Sequence, residues 1–162
     1  MTTFPVARAE RLFSVEQTIT TSDDYYTPKH VFDVLNIRFD LDVASPPGGV
    51  SWIPADRYYT QTDDGLASDW SGRVWMNPPY SRPETWTKRF MEHADGIALL
   101  PFSKSKWFIR LWEHADGITV PSAGFWRDWC GKSTEIFLPV FFAAYGPESV
   151  EAISRIGKVR TL

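Results

Sequence analysis

Arg73-Val74-Trp75-Met76-Asn77-Pro78-Pro79-Tyr80 is the stretch of this 162-residue chain that decides its fold. The short apolar run predicts a buried strand, and the two prolines end it because they lack the N–H that strand pairing requires. Asn77 and Tyr80 therefore stand at the carboxyl end of the strand. In open α/β sheets, that end is where ligands bind.

The groups offered by Asn77 to Tyr80 suit a planar amino group. The Asn77 amide oxygen and the Pro78 carbonyl are two neighbouring acceptors. Together they would hold both hydrogens of an exocyclic NH2 group, draw its nitrogen out of conjugation and expose a lone pair. Tyr80 offers a flat face on which a base could stack. A Pro-Pro turn with an asparagine cap and a packed tyrosine explains the same residues without any chemistry.

The tetrapeptide resembles motif IV of the amino-methyltransferases that use S-adenosylmethionine (SAM), in its adenine-N6 form. The chain as a whole resembles the small, phage-type (Dam-like) DNA N-6-adenine methyltransferases, from about Tyr25 to about Phe142. The segments that carry the resemblance, by their order and spacing, are Thr27-Pro28, Phe39 to Ser45, Asp64-Gly65-Leu66, Trp70-Ser71-Gly72 and Val74 to Tyr80. The resemblance implies SAM as cofactor, DNA as partner, and four catalytic residues: Asn77, Pro78, Pro79 and Tyr80.

A helix is predicted to begin at Tyr26-Thr27-Pro28, because Thr27 suits the N-cap and Pro28 the first helical position. The resemblance implies that these three residues contact the methionine end of SAM. Exposed N–H groups at a helix start would suit its carboxylate. A well-capped helix explains the same residues without a cofactor.

Residues 38–43 alternate in polarity and predict a strand, which ends in a turn of small residues at 44–49. The turn after the first strand of a doubly wound sheet lets a ligand approach the backbone closely. Asp42 would accept hydrogen bonds from the ammonium or the ribose of a cofactor. Asp40 shares its face of the strand, and two acids there favour a polar site because buried acids need partners. By resemblance this is motif I, with Ala44 and Ser45 in the cofactor loop, but the loop lacks G-x-G-x-x-G.

The resemblance implies roles for later residues as well. Asp64 would take the adenine amino group of SAM and Leu66 would lie against its ring, although an Asp-Gly turn explains this segment equally. Phe125, or else Trp126, would pack against the flipped base opposite Tyr80, and core packing explains either aromatic just as well. The cations expected to contact DNA are Arg82, Lys104, Lys106, Arg127 and Lys132.

The overall prediction is a compact, doubly wound α/β domain with a Rossmann-like, mostly parallel sheet. Residues 1–24 are predicted to form an N-terminal arm, and residues 25–162 a single methyltransferase domain without a large target-recognition domain. The sequence Glu-His-Ala-Asp-Gly-Ile occurs at 92–97 and again at 113–118. Each copy is predicted to end a helix and enter a strand, as consecutive αβ units of a parallel sheet require.

Composition narrows the function classes. A net charge of −3 lowers nonspecific DNA affinity, and the single cysteine excludes an internal disulfide. Three histidines and one cysteine form no metal motif. The longest apolar run, residues 136–145, is too short for a membrane helix. We therefore expect a cytoplasmic protein with no metal and no membrane partner, and the resemblance implies a phage or prophage protein of a bacterial or archaeal host. The oligomeric state is open, and a homodimer is one possibility.

The resulting hypothesis is methylation of adenine N6 in DNA, with the base flipped into the Asn-Pro-Pro-Tyr pocket. Two other classes stay open: a methyltransferase for RNA adenine or protein glutamine, and a non-catalytic aromatic module that binds single strands. Glutamine methyltransferases carry the same tetrapeptide but usually have a glycine-rich motif I. Cytosine-N4 enzymes usually have serine in place of Asn77.

Overall fold

The computed structural model describes residues 26–122, 124–126 and 139–162, so the predicted arm at 1–24 lies outside the described residues. The strands in the described part are β1 (Phe39–Asp42), β2 (Ala55–Tyr58), β3 (Val74–Met76), β4 (Gly96–Pro101), β5 (Gly117–Thr119), β6 (Val140–Tyr145) and β7 (Val159–Thr161). The helices there are α1 (Lys29–Leu35), α2 (Pro83–His93), α3 (Lys106–His114) and α4 (Pro147–Ser154). All seven strands belong to one sheet.

The sheet is mixed, with the strand order β2-β1-β3-β4-β6-β5-β7. β1 pairs in parallel with β2 and β3, and β3 pairs in parallel with β4. β6 runs antiparallel to β4 and β5, and β7 runs antiparallel to β5. Strands β1 to β5 therefore share one direction. The predicted mostly parallel sheet is corrected to a mixed one, because β6 returns in the opposite direction between β4 and β5.

The sheet divides the core into two clusters of buried side chains. One cluster contains the inward residues of α2 and α3, which are Trp86, Phe90, Trp107 and Leu111. The other contains the inward residues of α1 and α4, which are Val31, Phe32, Leu35, Ala152 and Ile153. Burying a large apolar side chain stabilises the fold by roughly 1.5–3 kcal/mol. Packing on both faces therefore fixes the strands and holds their carboxyl ends in place.

The repeated sequence marks two αβ units, as predicted. α2 ends at His93 and β4 begins at Gly96, while α3 ends at His114 and β5 begins at Gly117. β4 and β5 point the same way, but they are separated by β6 rather than paired with each other. The prediction of two αβ units with parallel strands is confirmed. The neighbour that these two strands share is β6.

The chain reverses the direction in which the sheet grows between β2 and β3. β2 lies on one side of β1, and β3 then pairs with the opposite side of β1. The carboxyl ends of β1 and β3 thus flank a topological switch point, where open α/β sheets bind ligands. β1 ends at Asp42 and β3 ends at Met76, immediately before Asn77. The fold therefore brings the predicted motif I and motif IV to one crevice.

Gly96 allows β4 to lie close to β3, and its replacement should weaken the fold. Its φ is 138°, and an added Cβ would collide with the Val74 carbonyl oxygen. We expect Gly96→Ala to lower the free energy of unfolding by about 2–4 kcal/mol, from overpacking and backbone strain together. Urea unfolding followed by circular dichroism measures this change. Gly124→Ala is the matched control, since no described residue lies within 4 Å of its added Cβ, and equal losses in both variants would contradict the argument.

Candidate functional site

A cavity of about 420 Å³ opens at the switch point between β1 and β3. Its walls come from residues 26–27, the turn after β1, the loop at 60–65, and the residues after β3. A second cavity of about 450 Å³ lies beside it and shares Tyr26, Asp42 and Ser45 in its lining. Both volumes are in the range of small-molecule sites in proteins, roughly 300–1,000 Å³.

The cavity brings together most of the residues predicted to hold a cofactor. Those that line it are Tyr26, Thr27, Asp42, Ala44, Ser45, Asp64 and Asn77, and Pro79 lines it with them. Pro28 directly precedes α1 and Pro78 is buried. Leu66 packs instead against the buried cluster beneath α2. Trp75, which the sequence predicts in a buried strand, and Trp86 also contribute to the wall.

Asp42 is a buried acid in the wall of both cavities. Asp42 is only 3% exposed, and its Oδ1 accepts a hydrogen bond from the Ala44 N–H at 3.2 Å. Burial raises the pKa of Asp42 from the ordinary value of 3.8 to about 6, while the Ala44 amide and the nearby Ser45 hydroxyl favour its charged form. Within the described residues, the Ser45 hydroxyl makes no hydrogen bond that meets the usual distance and angle limits. This pair suits a ligand that donates hydrogen bonds.

Asp40 does not share this site. It is exposed, and its Oδ2 accepts a hydrogen bond from the Arg73 N–H at 2.6 Å. The expectation of two acids at one polar site is therefore wrong for Asp40 and holds for Asp42 alone.

Asn77 is held across the crevice by Thr27. Asn77 Nδ2 donates a hydrogen bond to Thr27 Oγ1 at 3.1 Å, and the Thr27 carbonyl accepts one from Trp52 Nε1 at 2.8 Å. The helix α1 begins at Lys29, and Pro28 before it makes no side-chain cap. The predicted N-cap role of Thr27 is therefore wrong, because its hydroxyl faces Asn77 instead. Sequence reasoning missed Trp52, which lies in a segment without a regular pattern.

The turn that carries Asp64 reaches the cavity because Gly65 has no side chain. A Cβ at Gly65 would collide with the Val43 carbonyl oxygen at the end of β1. Trp70 Nε1 donates a hydrogen bond to the Gly65 carbonyl at 2.7 Å and so fixes the turn. The sequence indicated the Asp-Gly turn and the packing of Trp70, but not the hydrogen bond that joins them.

The three aromatic residues predicted to stack on a base lie on the α1 face of the sheet. The Tyr80 hydroxyl donates to the Leu99 carbonyl at 3.4 Å, and burial raises the pKa of Tyr80. Phe125 is tied to α1, since His30 Nε2 donates to its carbonyl at 2.8 Å. Trp126 stacks on Phe142, with ring centroids 6.2 Å apart and planes 12° apart. Their contact with a base stays a prediction.

Three of the predicted DNA-contacting cations, Arg82, Lys104 and Lys106, are exposed. Arg82 precedes α2, while Lys104 and Lys106 lie at the start of α3, so all three are near the carboxyl edge of the sheet. Arg127 and Lys132 lie outside the described residues. Contact with DNA stays a prediction for all five.

A family model described as DNA N-6-adenine-methyltransferase (Dam) matches residues 16–124, which include the whole lining of the first cavity. The chain belongs to the DNA N-6-adenine-methyltransferase (Dam) family. The resemblance stated from motif order is thereby confirmed.

Two phage proteins, each named DNA N-6-adenine-methyltransferase, are similar to this Dam-family chain. The protein of Escherichia phage T1 is 35% identical over 96 residues, which are 53% of this chain and 39% of that protein. The protein of Haemophilus phage HP1 (strain HP1c1) is 32% identical over 97 residues, 53% of this chain and 54% of that protein. The chain therefore spans about half or less of the length of these relatives. No solved structure matches the chain.

Metal ligands and membrane-spanning helices are two further features that bear on function in residues 26–122, 124–126 and 139–162 of this Dam-family chain. There, no group of three or more histidine, cysteine, aspartate or glutamate side chains is placed to hold a metal ion. None of the helices in these ranges has the length and apolar character needed to cross a membrane.

Asp42→Asn should stabilise this Dam-family protein at neutral pH. Between about pH 4 and pH 6 the folded protein binds more protons than the unfolded chain, because its Asp42 pKa is raised to about 6. The free energy of unfolding therefore falls as pH rises through this window. At about 1.4 kcal/mol per unit, the shift corresponds to a gain of roughly 3 kcal/mol for the variant at pH 8 and little gain at pH 4. Urea unfolding of both proteins across this range tests the prediction, and a difference that does not change with pH would contradict it.

Proposed function

We propose that this Dam-family chain transfers a methyl group from SAM to N6 of adenine in DNA. The observation that carries the proposal is one cavity at the switch point lined by both Asp42 and Asn77. Asp42 offers a buried carboxyl to a positively charged ligand with many hydrogen-bond donors. Asn77 offers an amide to a planar amino group. Family membership makes adenine in DNA the first substrate to test.

The residues around the cavity fit SAM. Asp42 would accept hydrogen bonds from its ammonium or ribose hydroxyls, and Ser45 adds a buried hydroxyl beside it. Tyr26, Thr27 and Pro28 would contact the methionine end, while Asp64 would take the adenine amino group. The small residues at and after Ala44 would allow SAM to approach the backbone of the turn closely. When bound, SAM supplies an electrophilic methyl group on a sulfonium.

Asn77 and Pro78 would hold the target. The Asn77 amide oxygen and the Pro78 carbonyl would accept both hydrogens of the adenine N6 amino group and expose the nitrogen lone pair toward the cavity. Tyr80, with Phe125 or Trp126, would hold the ring of the flipped base. Extrusion of the base costs a few kcal/mol. Catalysis by these residues is then mainly positioning, which can contribute up to roughly 7–11 kcal/mol to lowering a barrier.

The cations at the carboxyl edge would hold the DNA backbone near the cavity. Arg82, Lys104 and Lys106 are exposed there, and Arg127 and Lys132 are assigned the same role from the sequence. Phosphate contacts of this kind position a duplex without reading its sequence.

Asn77→Ala should abolish methyl transfer while leaving SAM binding nearly intact. We expect turnover to fall by at least about a hundredfold, the size of effect seen when one positioned catalytic donor is removed. The assay uses labelled SAM and unmethylated duplex DNA, with the product nucleosides separated, and parallel reactions contain RNA or protein extract. Label in N6-methyladenine from DNA supports the proposal. Label only in RNA or in protein would mean that the substrate is not DNA. Equal loss of turnover and SAM affinity in Asn77→Ala would contradict the role of Asn77.

Asn36→Gly is the matched control for this experiment. Asn36 follows α1 with φ of 47°, a left-handed conformation that glycine adopts freely. It is exposed and lies outside the cavity lining, so its replacement should leave turnover unchanged.

SAM should raise the melting temperature of the protein, and the increase should depend on Asp42. A ligand at about 100 times its dissociation constant stabilises by about 2.7 kcal/mol. Since the pKa of Asp42 is about 6, the carboxyl is charged at pH 8 and largely protonated at pH 5. The increase should therefore be larger at pH 8 than at pH 5, and Asp42→Asn should lose most of it. An equally large rise in the melting temperature of Asp42→Asn would show that Asp42 does not contact SAM.

A further inference from the structure

The two ends of the Asn77 side-chain amide are chemically different, so its orientation matters. Oδ1 accepts hydrogen bonds, whereas Nδ2 donates them. An adenine amino group needs an acceptor, and a half-turn of the amide would present a donor to another donor. The proposed reaction therefore requires that Nδ2 be held away from the substrate.

Thr27 makes the contact in which the amide takes this orientation. Asn77 Nδ2 donates to Thr27 Oγ1 at 3.1 Å. Because Nδ2 and Oδ1 branch from one carbon, a bond at Nδ2 turns Oδ1 away from Thr27. Both residues line the same cavity, so the orientation set at Thr27 acts at its wall.

Thr27 is itself held firmly. It is 3% exposed, and the indole Nε1 of Trp52 donates to its carbonyl at 2.8 Å. Directly after it, the Pro28 carbonyl accepts the Val31 N–H at 3.1 Å in the first turn of α1. These contacts fix the backbone of Thr27, so its hydroxyl meets the Asn77 side chain at one place in the crevice.

We propose that Thr27 is a positioning residue that orients the Asn77 amide for the adenine amino group. The inference rests on the proposed function. It differs from the contact with the methionine end of SAM that the family resemblance implies for Thr27, because it acts on the rate of transfer and not on the affinity for the cofactor.

Thr27→Val tests the proposal, since valine keeps the shape of threonine and removes the acceptor. We expect kcat to fall about tenfold, equivalent to about 1.4 kcal/mol, and this fall should exceed any loss of SAM affinity. Thr27→Ser, which restores a hydroxyl, should recover most of the rate. Unchanged kcat in Thr27→Val, a loss confined to SAM affinity, or no recovery in Thr27→Ser would each overturn the proposal.

Thr87→Val is the matched control. Thr87 is fully buried in α2, and its hydroxyl has no hydrogen-bond partner among the described residues. The same substitution there should leave kcat unchanged. An equal fall in both variants would mean that loss of a buried hydroxyl disturbs the fold, and would overturn the specific role of Thr27.

A measurement without turnover keeps the inference separate from the proposed function. In ¹⁵N-labelled wild-type protein, the Asn77 side-chain amide signals are identified by their loss in Asn77→Ala. They should show a nuclear Overhauser effect to the Thr27 γ-methyl group, and its absence would overturn the inference even if Thr27→Val does not fold. Absence of methyl transfer by the wild-type protein would instead overturn the proposed function.

Discussion

The pairing of β3 with its two parallel neighbours is the constraint on which the site depends. β3 has three residues, all buried, and Val74 lies opposite both Leu41 of β1 and Gly96 of β4. Asp42 lies opposite Trp75, so the chain leaves β3 close to the end of β1 and Asn77 emerges beside Asp42. The two prolines that follow cannot continue the ladder. Because side chains alternate between faces, a slip of one residue would exchange the faces of Trp75 and Met76 and disrupt both core clusters.

The same crevice carries a cost for the fold. Asp42 is enclosed, and burial raises its pKa to about 6, so the charged form at neutral pH weakens the folded state. Its support within the described chain is a hydrogen bond from the Ala44 amide and a nearby Ser45 hydroxyl. A ligand that carries a positive charge and hydrogen-bond donors would add further support for the charged Asp42 carboxylate. Stability given up in this way is common where a site must bind a charged group.

Local signals in the sequence predicted local structure well, and nonlocal contacts account for the differences. The repeated sequence Glu-His-Ala-Asp-Gly-Ile was enough to predict where α2 and α3 end and where β4 and β5 begin. The apolar run of β6 contains no information about strand direction, since all six residues are buried whichever way they run. Its antiparallel pairing with β4 is decided by partners about forty residues away. The residues next to Thr27 favoured an N-cap, but its hydroxyl accepts a hydrogen bond from Asn77, fifty residues later. The edge strand β2 is mostly exposed and polar, so no apolar pattern marked it.

The position of Asn77 also gives a physical reason for an amide rather than a carboxylate there. Asn77 and Asp42 line one cavity, so an aspartate at 77 would place a second negative charge near a buried acid. Like charges in a site raise the pKa of one of the two groups, and a protonated acid at either position would present a donor as well as an acceptor. The amide avoids this conflict, because one end donates to Thr27 and the other end accepts without charge. The cavity can then hold a carboxylate and a neutral acceptor side by side.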